Sequence, residues 1–279
     1  MVTNLDQIKV SGEDGKAPKA EGAWPLAIAK PESKILKEGT GEQVDKNATL
    51  KVNYVGVNGR TGKEFDSSYK RGTTADFPLA QVVPGFAKGL VGKHQGDRVL
   101  IMMPGSDGYD SQGGAPQAGI MKGDSLIFVV DIVAIPLPKA TGETVKPAAG
   151  LPTVKEVQGA PAVTIGKATK PNKLVVQPLI KGKGAAVTAH DSIDVKYRTY
   201  AWSSGELIED GYSGEPVTGS MNSVIPGWKM GLIGQTVGSR VMLIVPPADA
   251  YPNGSTNPPV KKGETLIYVI DILSAQKES

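Results

Sequence analysis

The sequence predicts an α+β fold built twice: two domains, each an antiparallel β-sheet curled around one short α-helix. Three observations lead there. Matched residues recur at a nearly constant offset: 143 positions for Tyr54 and Tyr197, 142 for Pro84 and Pro226, 142 for Tyr109 and Tyr251, and 140 for Asp131 and Asp271. Within each copy apolar residues alternate with period two, as half-buried strands require. One segment per copy breaks that alternation with an i, i+4 pair, Phe86 with Leu90 and Trp228 with Leu232. A chain of 279 residues accommodates two domains, and a repeat this long describes independent domains rather than a stacked solenoid.

Each copy opens with an extended prelude, because Ala17-Pro18 recurs as Ala160-Pro161, Lys30-Pro31 as Lys170-Pro171, and Gly39-Thr-Gly41 as Gly182-Lys-Gly184. The first main strand follows, with Leu50, Val52 and Tyr54 on one face. Asn58-Gly59 predicts a type I′ hairpin turn, and the chain returns through Gly62 to Phe65. Pro84 suits the first turn of a short helix running to Leu90, whose glycines make it dependent on packing against the sheet. Arg98 to Met103 and Leu126 to Ile135 are further strands, the second too continuously apolar to leave a face in water. Pro136, Pro138, Pro147 and Pro152, with Gly142 and Gly150 among them, predict a stiff, solvated connector. The expected organisation is therefore a first domain with its prelude at 1–138, a linker at 139–152, and a second, more divergent domain with its own prelude at 153–279.

Composition excludes several classes of function. The net charge is +3 and the lysines are scattered among acids, so no basic footprint for nucleic acid exists. The longest apolar stretch, Leu126 to Ile135, is too short for a helical membrane span and carries Asp131. There is no cysteine, which removes thiol nucleophiles, disulfides and thiolate metal sites together. His94 and His190 occupy unmatched places in the repeat, and neither has partners at metal-ligand or Ser-His-Asp spacing. The chemistry expected here needs no metal and no cofactor.

Apolar and aromatic positions recur at element ends: Tyr54, Phe65, Phe77, Val82, Val83, Phe86, Tyr109 and Phe128. Singly each has a core reading, which Phe77 and Phe128 fit well. Context turns the set into a candidate pocket. Phe65 precedes Asp66-Ser67-Ser68 just after a hairpin, and Tyr109 lies in a glycine-rich loop from Gly108 to Gly114 where a buried aromatic is not expected. Binding residues concentrate on loops over a rigid sheet. Asp66 also has a turn-forming reading through its own backbone, and both readings stay open here.

Four ordered motifs carry a resemblance: Val52-Asn-Tyr54-Val-Gly56; Gly62-Lys-Glu-Phe65-Asp66-Ser67-Ser68; Val82-Val83-Pro84-Gly85-Phe86 with Gly89-Leu90; and Leu126-Ile-Phe128-Val-Val-Asp131-Ile. Together they resemble FKBP-type peptidyl-prolyl cis-trans isomerases over residues 33–136, with a looser copy over 173–275. The resemblance implies two FKBP-like domains and a role in protein folding. It places Tyr54, Phe65, Asp66, Val83 and Tyr109 as catalytic residues around a proline-binding pocket, with Phe77, Val82, Phe86 and Phe128 binding substrate. Phe86 is the pocket floor, where the family usually has Trp. The Val83 amide and the Tyr109 hydroxyl would hold substrate carbonyls, and Asp66 would bond Tyr54. The implied partners are prolyl-containing polypeptide clients and macrolide inhibitors of the FKBP site.

In the second copy the matching pocket is Tyr197, Ile208, Glu209, Val224, Ile225, Trp228, Tyr251 and Tyr268, with Val217 read as the counterpart of Phe77. The floor is the family's Trp, but the aromatic wall is lost and the acid changed. The expectation is catalysis mainly by the first domain, with the second weakly active or binding prolyl peptide only. The alternative is a non-catalytic tandem prolyl-peptide-binding or chaperone module at the cell surface. The prelude and the segment from Gly62 to Gly72 also resemble exported, lipid-anchored actinobacterial members. That resemblance implies a location outside the cell membrane, with a signal and anchor preceding Met1.

Overall fold

A strand that is apolar on both faces has to be covered twice, and the computed structural model shows how. It describes residues 4–13 and 15–277. The chain divides into two compact units, Met1–Pro136 and Leu137–Ser279. Among the described residues no helix is long and apolar enough to cross a membrane.

In the first unit a prelude hairpin, β1 (Lys9–Ser11) and β2 (Lys19–Glu21), precedes the main sheet. The sheet contains β3 (Glu32–Lys37), β4 (Thr49–Asn58), β5 (Glu64–Ser67), β6 (Ala75–Pro78), β7 (Arg98–Met103) and β10 (Leu126–Ala134). A one-turn helix α1 (Ser68–Arg71) separates β5 from β6, and α2 (Pro84–Leu90) crosses the sheet. Two short strands, β8 (Gly114–Ala115) and β9 (Ile120–Met121), pair within the loop before β10. The antiparallel order is β3-β7-β10-β4-β5, with β6 on the same edge of β4 as β5.

Period two then sorts the side chains. Leu50, Val52, Tyr54, Val99, Ile101, Met103, Phe128 and Val130 face α2 in one core. Val55, Val57, Leu100, Met102, Ile127 and Val129 face the other way, where the prelude lays Leu5, Ile8, Leu26 and Ile28 over them. Each such apolar side chain contributes about 1.5–3 kcal/mol on burial. Arg98 ties the prelude down: its Nε and Nη2 donate to the two Asp131 carboxylate oxygens at 2.6 and 2.8 Å, and its Nη1 donates to the Gly12 carbonyl at 3.1 Å.

The second unit repeats the plan with β12 (Thr153–Val157) and β13 (Ala160–Thr164) as prelude hairpin. Its sheet comprises β11 (Glu143–Thr144), β14 (Val175–Lys181), β15 (Asp191–Ala201), β16 (Leu207–Asp210), β17 (Val217–Ser220), β18 (Arg240–Val245) and β19 (Leu266–Lys277), with α3 (Pro226–Leu232) on its inner face. The order is β11-β14-β18-β19-β15-β16, with β17 also on β15. Arg240 grips Asp271 through the same two donors, at 2.6 and 2.9 Å.

Two expectations are corrected. The segment 139–152 is not a free linker, and the boundary falls earlier, after Pro136. Although the prolines from Pro136 to Pro152 cannot donate, residues between them do: Leu137, just before the segment, and Thr141 and Val145 within it donate backbone N–H groups to the carbonyls of Leu273, Gly238 and Leu179 at 2.8–2.9 Å. Glu143 and Thr144 thereby form an edge strand on β14. Gly142 permits it, because a Cβ there would stand 2.0 Å from the Lys181 carbonyl oxygen. The turn at Asn58-Gly59 is also not a two-residue type I′ turn. Asn58 N–H donates to the Lys63 carbonyl at 2.9 Å, spanning a longer loop whose left-handed residue is Gly62, φ 69°. Gly59 is needed for space, since its Cβ would meet the Ser125 carbonyl oxygen at 2.7 Å.

Candidate active site

Local sequence sets the position of every side chain in the first-domain pocket. Tyr54 shares the inner face of β4 with Leu50 and Val52, and its N–H donates to the Ser68 hydroxyl at 2.8 Å. Ser67 caps α1, Gly72 ends it at φ 70°, and that single turn brings Arg71 back onto Asp66. In α2, Gly85 and Gly89 are contact points: a Cβ would meet Met103 Sδ at 2.4 Å and Ile101 Cδ1 at 2.8 Å respectively. The helix therefore lies close against β7, which seats Phe86 in the core.

Five rings converge. Phe86 and Phe128 lie 4.3 Å apart between centroids, Phe65 meets Phe128 edge-on at 5.5 Å, and Phe77 stands 5.2 Å from Tyr54 and 5.0 Å from Phe86. Phe128 and Phe86 are buried, while Phe65, Phe77, Val82, Val83 and Tyr109 pack on them part-exposed. The sequence-predicted residues thus come together as an apolar bowl, with Phe128 backing it from beneath.

One polar cluster interrupts the bowl. The Tyr54 hydroxyl donates to Asp66 Oδ2, Arg71 Nη1 donates to Asp66 Oδ1, and Arg71 Nη2 donates to the Tyr54 oxygen at 3.0 Å. Burial pushes the Tyr54 hydroxyl up to about 12, and the bond to Asp66 adds to the shift. For Asp66, burial favours the neutral acid, but the bonds from Tyr54 and Arg71 outweigh it and hold the carboxyl below its ordinary range. Asp66 also accepts the Ser67 N–H at 2.8 Å, so its turn-forming and tyrosine-bonding readings both hold. Two donors at the rim are free: among the described residues neither the Val83 N–H nor the Tyr109 hydroxyl has an acceptor. Arg71 was not among the predicted site residues; its only sequence signal is its place five residues after Asp66.

The second-domain set also converges. Tyr197 and Tyr268 each meet Trp228 edge-on, at 5.0 and 5.4 Å, and Ile208, Val224, Ile225 and Tyr251 pack on the same core. Glu209 takes the place of Asp66: its two oxygens accept the Tyr197 hydroxyl at 3.2 Å and the Thr199 hydroxyl at 2.8 Å. Strand register corrects one equivalence. Phe77 pairs with Leu50, and the matching Ile193 pairs with Gly219; Val217 pairs with Val195 and so matches Ala75. The Phe77 wall is thus a glycine here, whose Cβ would touch Val224 alone among the described residues, at 3.7 Å. Thr199 and Gly219 both escaped the sequence reading.

The chain is similar in sequence to known proteins of one family over both domains. The family described as FKBP-type peptidyl-prolyl cis-trans isomerase matches residues 40–133 and 183–273. An FK506-binding protein of Streptomyces anulatus is 39% identical over 120 residues, which is 42% of this chain and 92% of that protein. A probable FK506-binding protein of Corynebacterium glutamicum is 33% identical over 108 residues, 37% of this chain and 88% of its own. The crystal structure of the three FKBP domains of wheat FKBP73 covers 89% of this chain and 95% of that one, at 19% identity and TM-score 0.38.

Proposed function

Because the chain belongs to the FKBP-type peptidyl-prolyl cis-trans isomerase family, we propose that it assists folding by rotating X–Pro bonds in polypeptide clients, with its first-domain pocket as the principal catalyst. The observation that carries this reading is the aromatic bowl of Tyr54, Phe65, Phe86 and Phe128 beneath two free donors, Val83 N–H and Tyr109 hydroxyl.

Rotation about an X–Pro bond faces a barrier of about 18–20 kcal/mol, because amide resonance must be broken. The reaction moves no proton and forms no covalent bond to the enzyme. In the twisted state the imide loses its charge separation, so an apolar bowl favours it over the planar ground state. Lowering the barrier by about 4 kcal/mol corresponds to roughly a thousandfold in rate. The Val83 N–H and the Tyr109 hydroxyl hold carbonyls of the substrate chain on either side of the prolyl ring. Asp66 fixes the Tyr54 ring and turns a carboxylate toward the bond that rotates.

The second pocket, with Ile208 and Gly219 in place of two aromatic walls, binds prolyl segments with little catalysis. A protease-free isomerisation assay on the full chain tests the assignment. Replacing Phe65 by Ala and Asp66 by Asn is expected to remove most of the turnover; undiminished turnover would sink it. Binding and suppression of aggregation without any isomerisation by the unaltered chain would select the non-catalytic chaperone reading. An extracytoplasmic location rests on the resemblance to exported members alone, and fractionation of the native gene product tests it.

A further inference from the structure

The two pockets differ most in charge. Between Gly56 and Phe86 the first domain has four basic residues, Arg60, Lys63, Lys70 and Arg71, against three acids. Between Thr199 and Trp228 the second has four acids, Glu206, Glu209, Asp210 and Glu215, and no Lys or Arg. The same loss recurs at individual ion pairs. Arg71, which neutralises Asp66, has no basic counterpart, because the matching segment from Tyr212 to Val217 carries no Lys or Arg. Lys88, which pairs with Asp107 at 2.5 Å, has Met230 as its counterpart 142 positions on. Glu209 and Asp249, which match Asp66 and Asp107, therefore have no ion pair among the described residues, whereas Asp210 is held by Arg198 at 2.7 Å.

We propose that the second pocket selects prolyl segments carrying a lysine or arginine side chain beside the proline. This rests on the reading of that pocket as a prolyl-segment site. Glu209 is half-buried with its carboxylate held by Tyr197 and Thr199, so it is oriented without being neutralised. A carboxylate in that state is an incomplete ion pair, and a charge-assisted bond to an incoming cation completes it. The Tyr197 ring, whose hydroxyl donates to Glu209, adds the attraction of an aromatic face for a cation. The floor also differs from a plain apolar one: Trp228 is 9% exposed, and its indole N–H is buried without an acceptor among the described residues, an unpartnered donor at the base of the pocket. The first pocket, with its own carboxylate paired to Arg71, has no such preference.

The test follows the indole N–H resonance of Trp228 in the full chain during titration with acetylated, amidated tetrapeptides Gly-X-Pro-Phe, where X is Arg, Ala or Glu. The arginine peptide is expected to bind at least about tenfold more tightly than the glutamate peptide, and less so at high salt. Glu209→Gln is expected to bring the three within about twofold. Gly214→Arg, which puts a cation on the loop between β16 and β17 where an added Cβ has no neighbour within 4 Å among the described residues, is expected to weaken the arginine preference without disturbing the fold. Equal binding of the three peptides by the unaltered chain, or an arginine preference that survives Glu209→Gln, overturns the proposal while leaving a prolyl-segment site. No response of Trp228 to any peptide removes that site as well.

Discussion

The Phe65 ring lies over Gly56: a Cβ on that glycine would stand 2.7 Å from Phe65 Cζ and 2.8 Å from Phe128 Cε1. The second domain exchanges both positions together. Thr199, fully buried, occupies the glycine's place in the strand, and Ile208 replaces the ring. Either a glycine with a phenylalanine or a threonine with an isoleucine fills the space, and the second pairing gives up an aromatic wall.

Gly56→Thr in the full chain is therefore expected to destabilise the first domain by about 1–3 kcal/mol through overpacking. It should also cut turnover more than tenfold as Phe65 is displaced. Adding Phe65→Ile is expected to recover most of the stability and none of the turnover. Thermal unfolding and the isomerisation assay on the two single variants and the double variant measure the coupling directly. Additive stabilities would show that the two positions do not share one space.

Phe77→Ala removes a ring that leans on both Tyr54 and Phe86 and so copies the open wall at Gly219. The loss of one part-exposed aromatic contact is expected to weaken peptide binding by about 1–2 kcal/mol, roughly five- to thirtyfold in KM. Since the Tyr54–Asp66–Arg71 hydrogen bonds do not involve this ring, kcat should change less than KM. Steady-state kinetics on a prolyl peptide separates the two parameters.

How much of this was legible depended on whether the signal was local. The apolar run from Leu126 onward announced that both faces of β10 are covered, but Leu5, Ile8, Leu26 and Ile28 lie some hundred residues away, in a prelude without periodicity. Tyr54, Phe65 and Asp66 were visible as motif residues. Arg71 was not, because only the single turn of α1 returns it to Asp66. The identity of Gly219 required strand register, since one residue is lost between Tyr212 and Val217 relative to the first copy and counting by offset misplaces the wall. Gly59 misled for a related reason: its lack of a side chain answers to the Ser125 and Leu26 carbonyls rather than to the turn.

The outer core makes the prelude part of the first domain. Ile28 is buried against the sheet, whereas Leu36, on edge strand β3, is 37% exposed. Ile28→Ala is expected to cost about 2–5 kcal/mol by opening a cavity, and Leu36→Ala under about 1 kcal/mol. Denaturant unfolding of the full chain, followed by amide exchange in β10, assigns the loss to the first domain. A negligible effect of Ile28→Ala would mean that the prelude is not bound in solution.

The Tyr54–Asp66–Arg71 cluster fixes the pH behaviour of the first pocket. Burial and Asp66 push the Tyr54 hydroxyl up to about 12, and the bonds from Tyr54 and Arg71 keep Asp66 below its ordinary value against the effect of burial. Neither group titrates between roughly pH 5 and 9, so kcat/KM is expected to be flat there. On the acid side the sign follows from the depressed carboxyl. Its contribution to stability is complete above the unfolded-state value and is lost as pH falls through the lower folded-state value. Arg71→Gln takes away one of the two bonds that outweigh burial, so the folded-state value rises and the acid limb of both activity and stability moves toward neutral pH. The carboxyl carbon shift of Asp66, followed by NMR in the two proteins, reports the change at the atom concerned. Superimposable titrations would show that Tyr54 and the Ser67 N–H, rather than Arg71, hold the carboxylate.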